Sequence, residues 1–82
     1  MIVKKWFVYI LECMDNSLYV GATNSLERRS IEHQTGKGSK YVGSHKAKRI
    51  IYTEGFNNKY DAYRREREIK GFSRQKKLSL LK

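Results

Sequence analysis

The sequence predicts an α+β fold: a small three-stranded antiparallel sheet flanked by helices, in the order β-β-α-β-α-α. Three observations lead there. A β-branched and aromatic run at residues 6–12 is followed, after a short turn, by a second such run at residues 18–21. Two longer polar stretches have helix-capping residues at one end and a glycine at the other. The chain has 82 residues, no proline and no linker-like segment, so residues 1–82 are expected to form a single domain around one modest core.

Each element has a local reason. Residues 6–12 (Trp-Phe-Val-Tyr-Ile-Leu-Glu) lack an apolar–polar alternation and read as a central strand covered on both faces. Met14-Asp15-Asn16 is a turn signal. A three-residue turn pairs Cys13 with Ser17, Leu11 with Tyr19 and Tyr9 with Gly21, which places Tyr9 and Tyr19 on one face. A two-residue turn would separate them, and the longer turn is the one expected. Thr23, Asn24 or Ser25 supplies an N-cap for a helix running to about Thr35, where Gly36 suits a stop. Residues 36–47 are rich in Gly, Ser and Lys and read as an exposed loop. Arg49 to Glu54 reads as the third strand, with a turn over Gly55 to Asn58. Lys59 to Lys70 is a second helix ending at Gly71, and Ser73 caps a last short helix through Leu81.

Composition narrows the partners. There are 18 Lys+Arg against 8 Asp+Glu, a formal charge of +10, which predicts attraction to polyanions, nucleic acid first. With 12% aromatic residues a core can form, so the chain is not a disordered basic tail. Cys13 is the only cysteine, which excludes an internal disulfide and a cysteine zinc cluster and fits a reducing, cytoplasmic compartment. The longest apolar run, Trp6 to Leu11, is too short to span a bilayer and is followed by no signal-peptide cleavage pattern. No membrane partner is expected.

Two helix faces carry polar residues where apolar ones belong. Leu26, Arg29 and His33 share one side of the first helix, and Ala62, Glu66 and Ile69 share one side of the second, flanked by Tyr63. Burying an arginine, a histidine and a glutamate without partners is costly, so they must pair, meet solvent in a cleft or hold a ligand. Ordinary readings compete. Arg29 and His33 have the character of solvated surface residues, Glu66 sits among Arg64, Arg65, Arg67 and Lys70 as a surface ion pair would, and Tyr9 and Tyr19 fit plain core packing.

Taken as a set, the spacing is more specific. Val8-Tyr9-Ile10 followed by Tyr19-Val20-Gly21 resembles the paired strand motifs of the GIY-YIG nuclease superfamily. Arg29 and His33 lie at the distances from Gly21 found in that family's first helix. Ala62-Tyr63-Arg64-Arg65-Glu66 resembles its later helix. The loop from Gly36 to Tyr41 and the ending from Ile69 to Lys77 are similar to its compact single-domain, UPF0213-like members. Ala22 stands where some members carry a lysine, and no counterpart of a C-terminal asparagine is evident.

The resemblance implies a metal-dependent endonuclease that hydrolyses phosphodiester bonds in DNA, including branched or damaged DNA. Tyr9 becomes the general base that activates water, Tyr19 the group that orients phosphate or water, and Glu66 the ligand of Mg²⁺ or Mn²⁺. The residues suit these tasks. One carboxylate can hold Mg²⁺ while waters and phosphate fill the octahedron. The Arg29 fork matches a phosphate, and His33 titrates near neutrality. Lys37, Lys40, Lys46, Lys48, Arg49, Arg64, Arg67, Arg74, Lys76 and Lys77 are candidates for contact with the nucleic-acid backbone, and Tyr41 for base stacking. DNA is the expected partner, with RNA second, and the chain is expected to act as a monomer. The alternative is a non-catalytic nucleic-acid-binding module that retains the fold. A basic membrane-surface or interaction protein comes third, because no amphipathic helix with a Trp-rich face is evident.

Overall fold

The computed structural model describes residues 5–34 and 46–81, the side chains of residues 33 and 34 excepted. It contains the elements β1 (Trp6–Cys13), β2 (Leu18–Thr23), α1 (Leu26–Gln34), β3 (Ala47–Phe56), α2 (Lys59–Lys70) and α3 (Arg74–Ser79). The three strands form one antiparallel sheet in the order β2-β1-β3, as predicted.

The central strand is covered on both faces. Val8, Tyr9, Ile10 and Leu11 are successive buried residues, so both sets of alternating side chains enter a core. Val8 and Ile10 join Val20, Ala62 and Ile69 on the face packed by α2, and Trp6, Phe72 and Leu80 close around them. Tyr9, Leu11 and Cys13 form the second cluster with Tyr19, Leu26, Ala47 and Ile50, beneath α1.

The β1–β2 hairpin has the longer turn. The Cys13 N–H donates to the Ser17 carbonyl at 2.9 Å, Leu11 pairs with Tyr19, and Tyr9 pairs with Gly21. Asn16 supplies the positive φ of 70° that closes the turn, a conformation Asn tolerates better than most residues. Tyr9 and Tyr19 therefore share a face.

Of the three residues offered as caps for α1, Ser25 fills the position: its Oγ accepts from the Arg28 N–H at 3.2 Å. Thr23 supports the turn before it, its Oγ1 accepting from the Ser25 N–H at 3.1 Å. Asn58 and Ser73 cap α2 and α3, accepting from the Asp61 and Lys76 N–H groups.

The third strand departs from expectation. It extends from Ala47 to Phe56, two residues further at each end than the predicted Arg49 to Glu54. Gly55 pairs with Phe7 instead of turning the chain, and Ala47 pairs with Cys13. Register shifts opposite Ile10/Leu11 and Glu12/Cys13 insert extra residues, which breaks the alternation that would have marked a longer strand. One consequence is that Ile51 and Tyr52 both pack on the α2 side, while Ile50 packs on the other. The final helix ends at Ser79, slightly short of the predicted Leu81. Of the loop expected over residues 36–47, residues 36–45 lie outside the described residues, and Ala47 already belongs to β3.

Candidate active site

Tyr9 is the centre of the site. It is 1% exposed, and its hydroxyl lies directly against Gly21 in the neighbouring strand. Its ring sits 6.2 Å from that of Tyr19, tilted by 42°. Burial pushes the Tyr9 hydroxyl well above the ordinary tyrosine range. Tyr19, Glu66 and Glu32 push in the same direction, and Arg29 opposes them. Four side chains from β2, α1 and α2 thus act electrostatically on one phenol.

The route by which Glu66 arrives there follows from topology. Helix α2 packs on the face opposite Tyr9, against β1 and β2. Strand β2 is a sheet edge, and its Gly21 carries no side chain where the Tyr9 ring crosses it. The Tyr9 hydroxyl lies over Gly21 of this edge strand, and the Glu66 charge acts on it from α2 on the other face.

Glu66 itself is 22% exposed and makes an i,i+4 ion pair with Lys70 at 3.6 Å. The surface ion pair expected of it does exist, and it leaves the carboxylate on an open rim. A hollow of about 400 Å³ adjoins it, lined by Tyr63, Glu66, Arg67 and Lys70. Among the described residues, no three His, Cys, Asp or Glu side chains gather as a metal cage. A lone carboxylate on a wet rim fits Mg²⁺ or Mn²⁺, which keep much of their water shell, and does not fit structural zinc.

Arg29 projects from α1 with its side chain 28% exposed. Its Nε lies 3.6 Å from Glu32 Oε1, and both of these atoms are out of contact with solvent. Glu32 was not among the sequence candidates. Its i+3 spacing from Arg29 looks like any surface pair on a helix, and only its burial beside Arg29 and its effect on Tyr9 mark it out. His33 lies on α1, but its side chain falls outside the described residues.

The basic candidates are dispersed. Lys37, Lys40 and Tyr41 lie outside the described residues. Lys46, Lys48 and Arg49 are exposed at the start of β3, with Lys48 and Arg49 drawn to Glu12 at 3.9 and 3.2 Å. Arg64 and Arg67 are exposed on α2. Arg74 donates to the Asn16 carbonyl, tying α3 to the hairpin turn, and Lys76 lies 4.2 Å over the Phe72 ring. Lys77 is only partly exposed. Arg65 has a structural place: with Glu54 and Tyr52 it ties α2 to β3, Arg65 Nε donating to Glu54 Oε1 at 3.1 Å and Tyr52 Oη to Glu54 Oε2 at 2.5 Å. A second hollow, about 590 Å³, lies between β3 and the chain end, against Ile51, Tyr52 and Leu80. It is apart from Tyr9 and Glu66.

Among the described residues, no helix is long and apolar enough to cross a membrane.

Comparison with known proteins agrees with this arrangement. A model of the GIY-YIG catalytic domain matches residues 5–79. A UPF0213 protein of Staphylococcus haemolyticus is 47% identical over 79 residues, covering 96% of each chain. One from Natronomonas pharaonis is 44% identical over 75 residues, covering 92% of this chain and 88% of its own. The solution NMR structure of a UPF0213 protein from Bacillus halodurans superposes with a TM-score of 0.59 at 43% identity, covering 93% of this chain and 81% of the other. The chain thus belongs to the GIY-YIG family, among its compact UPF0213 members.

Proposed function

We propose that the domain is a divalent-metal-dependent endonuclease that hydrolyses phosphodiester bonds in DNA. The observation that carries this reading is the buried Tyr9 hydroxyl set against Gly21 of the edge strand and beside the Tyr19 ring, with the charges of Arg29, Glu32 and Glu66 acting on it, in a chain with net charge +10.

The chemistry assigns each group a task. The scissile phosphate would lie at the β2 edge beside Tyr19, next to Gly21, whose missing side chain leaves the room that the Tyr9 hydroxyl fills. Arg29 neutralises the phosphoryl oxygens as charge builds on them. Glu32 holds the Arg29 guanidinium in place through its Nε side. Tyr19 hydrogen-bonds the phosphate or the attacking water. Tyr9 is protonated at neutral pH, so it accepts the proton of the attacking water only as its own proton moves on, to His33 or solvent. Bound Mg²⁺ or Mn²⁺ supplies Lewis-acid neutralisation of the developing charge. Glu66 would hold that ion.

The test is incubation of the full chain with single-stranded, duplex, flap and four-way DNA, with Mg²⁺ or Mn²⁺ and with a chelator. Cleavage that stops with the chelator supports the reading. Binding of every substrate with no cleavage under any metal refutes it in favour of a binding module.

A further inference from the structure

We propose that Tyr63 is a stacking seat for one unpaired base beside the cutting centre, so that the preferred substrates expose a single-stranded nucleotide next to the cleaved bond. The position beside the cut rests on the nuclease reading above, but the base seat does not.

Tyr63 is 44% exposed on α2, one helical turn before Glu66. Its ring is held: the edge contact with Trp6 has centroids 5.5 Å apart and an interplanar angle of 71°. An aromatic face fixed in advance loses little freedom when a base lands on it. It forms one wall of the 400 Å³ hollow, whose other walls are Glu66, Arg67 and Lys70. That volume falls within the range of about 300–1,000 Å³ usual for small-ligand clefts.

The charges suit a nucleotide. The exposed Arg67 offers a cation for the phosphates flanking a seated base, beside the Lys70–Glu66 ion pair, and stacking on tyrosine accepts any base. Glu66, one turn along the same helix, is one of the charges acting on the Tyr9 hydroxyl, so a seated base would belong to a nucleotide close to the bond under attack. Duplex DNA does not present a base face, because each is covered by its neighbours. Tyr60, one turn earlier and 70% exposed, is a poorer seat, since Lys59 Nζ already lies 5.4 Å over its ring.

The experiment uses the full chain without metal and short oligonucleotides carrying 2-aminopurine, whose fluorescence is quenched on stacking. Wild type is expected to quench the probe in single strands and flaps, and Tyr63→Phe to retain this. Tyr63→Leu, which keeps an apolar contact with Trp6 so that folding is preserved, is expected to lose the quench. It should also bind single strands and flaps roughly 10-fold more weakly, in the range of one lost base stack, with duplex affinity unchanged. Wild-type quenching and affinity in Tyr63→Leu, or an equal loss on duplex, would overturn the proposal. Tyr63-dependent quenching by a protein that cuts none of these substrates once Mg²⁺ or Mn²⁺ is added would leave the seat standing and refute the nuclease. Cutting that is indifferent to Tyr63 and to unpaired bases would do the reverse.

Discussion

The Tyr9 hydroxyl occupies the space that a side chain at Gly21 would need: a β-carbon there would stand 2.4 Å from the hydroxyl oxygen and 2.6 Å from the ring carbon that bears it. Tyr9 is buried and its ring is rigid, so it cannot swing aside as a lysine would. Gly21→Ala should therefore displace the phenol and strain the core, costing about 1–3 kcal/mol in chemical denaturation. Cleavage should fall far more than DNA affinity. An unchanged midpoint would mean that the ring has room that the structure does not give it.

The raised titration of Tyr9 has a consequence for stability. The fold accommodates the neutral phenol, so the unfolded chain loses this proton at lower pH than the folded one does. The contribution is complete below the ordinary tyrosine value of about 10 and is lost as pH climbs from there through the raised folded value. Thermal melts of wild type and Tyr9→Phe should run parallel to pH 9 and then converge as wild type weakens. A difference that stays constant to pH 11 would contradict the burial of the hydroxyl.

Glu54 behaves in the opposite sense. Burial alone would raise its carboxyl, but the hydrogen bonds from Arg65 and Tyr52 outweigh that and hold it below the usual glutamate range. The stability it contributes is present above the ordinary value of about 4.3 and disappears as pH falls through the lowered one. Glu54→Gln should cost about 1–2 kcal/mol at pH 7, allowing for partial exposure, and almost nothing at pH 2. Equal stability of the two proteins at pH 7 would show that the α2–β3 tie is not a stabilising one.

Glu32 offers a test that separates positioning from folding. Glu32→Gln keeps the size of the side chain while removing one of the charges that raise Tyr9. The pH–rate profile for cleavage should shift to lower pH, and kcat should drop more than KM changes, because Arg29 is less firmly held. Glu32→Asp should restore the profile in part. A profile identical to that of wild type would confine Glu32 to the helix surface.

The strand pair and its register were legible because a hairpin turn and a two-sided apolar strand are local signals, and they alone set Tyr9 beside Tyr19. The N-cap of α1 was narrowed to three neighbours because Thr23 and Ser25 have the same capping chemistry, and both do hydrogen-bond to the backbone there. The length of β3 was not legible. Its ends are charged or glycine-containing, and its register shifts break the alternation that a pattern needs. At the site, the stripe of Ala62, Glu66 and Ile69 was visible, but its placement on the face opposite Tyr9 depends on long-range packing. Glu32 was hidden for the same reason, since helical spacing does not reveal which i,i+3 pairs are buried.

The central claim is that residues from both faces of the sheet work as one cutting centre at its β2 edge. Single-turnover cleavage by Tyr9→Phe, Glu66→Gln and the double variant measures this directly, with DNA affinity followed in parallel. Each single change should slow cleavage by about 100-fold or more at similar affinity, and the double should be little worse than the slower single, as for groups that act as a unit. Wild-type rates in Glu66→Gln, or strictly multiplicative losses in the double, would contradict it.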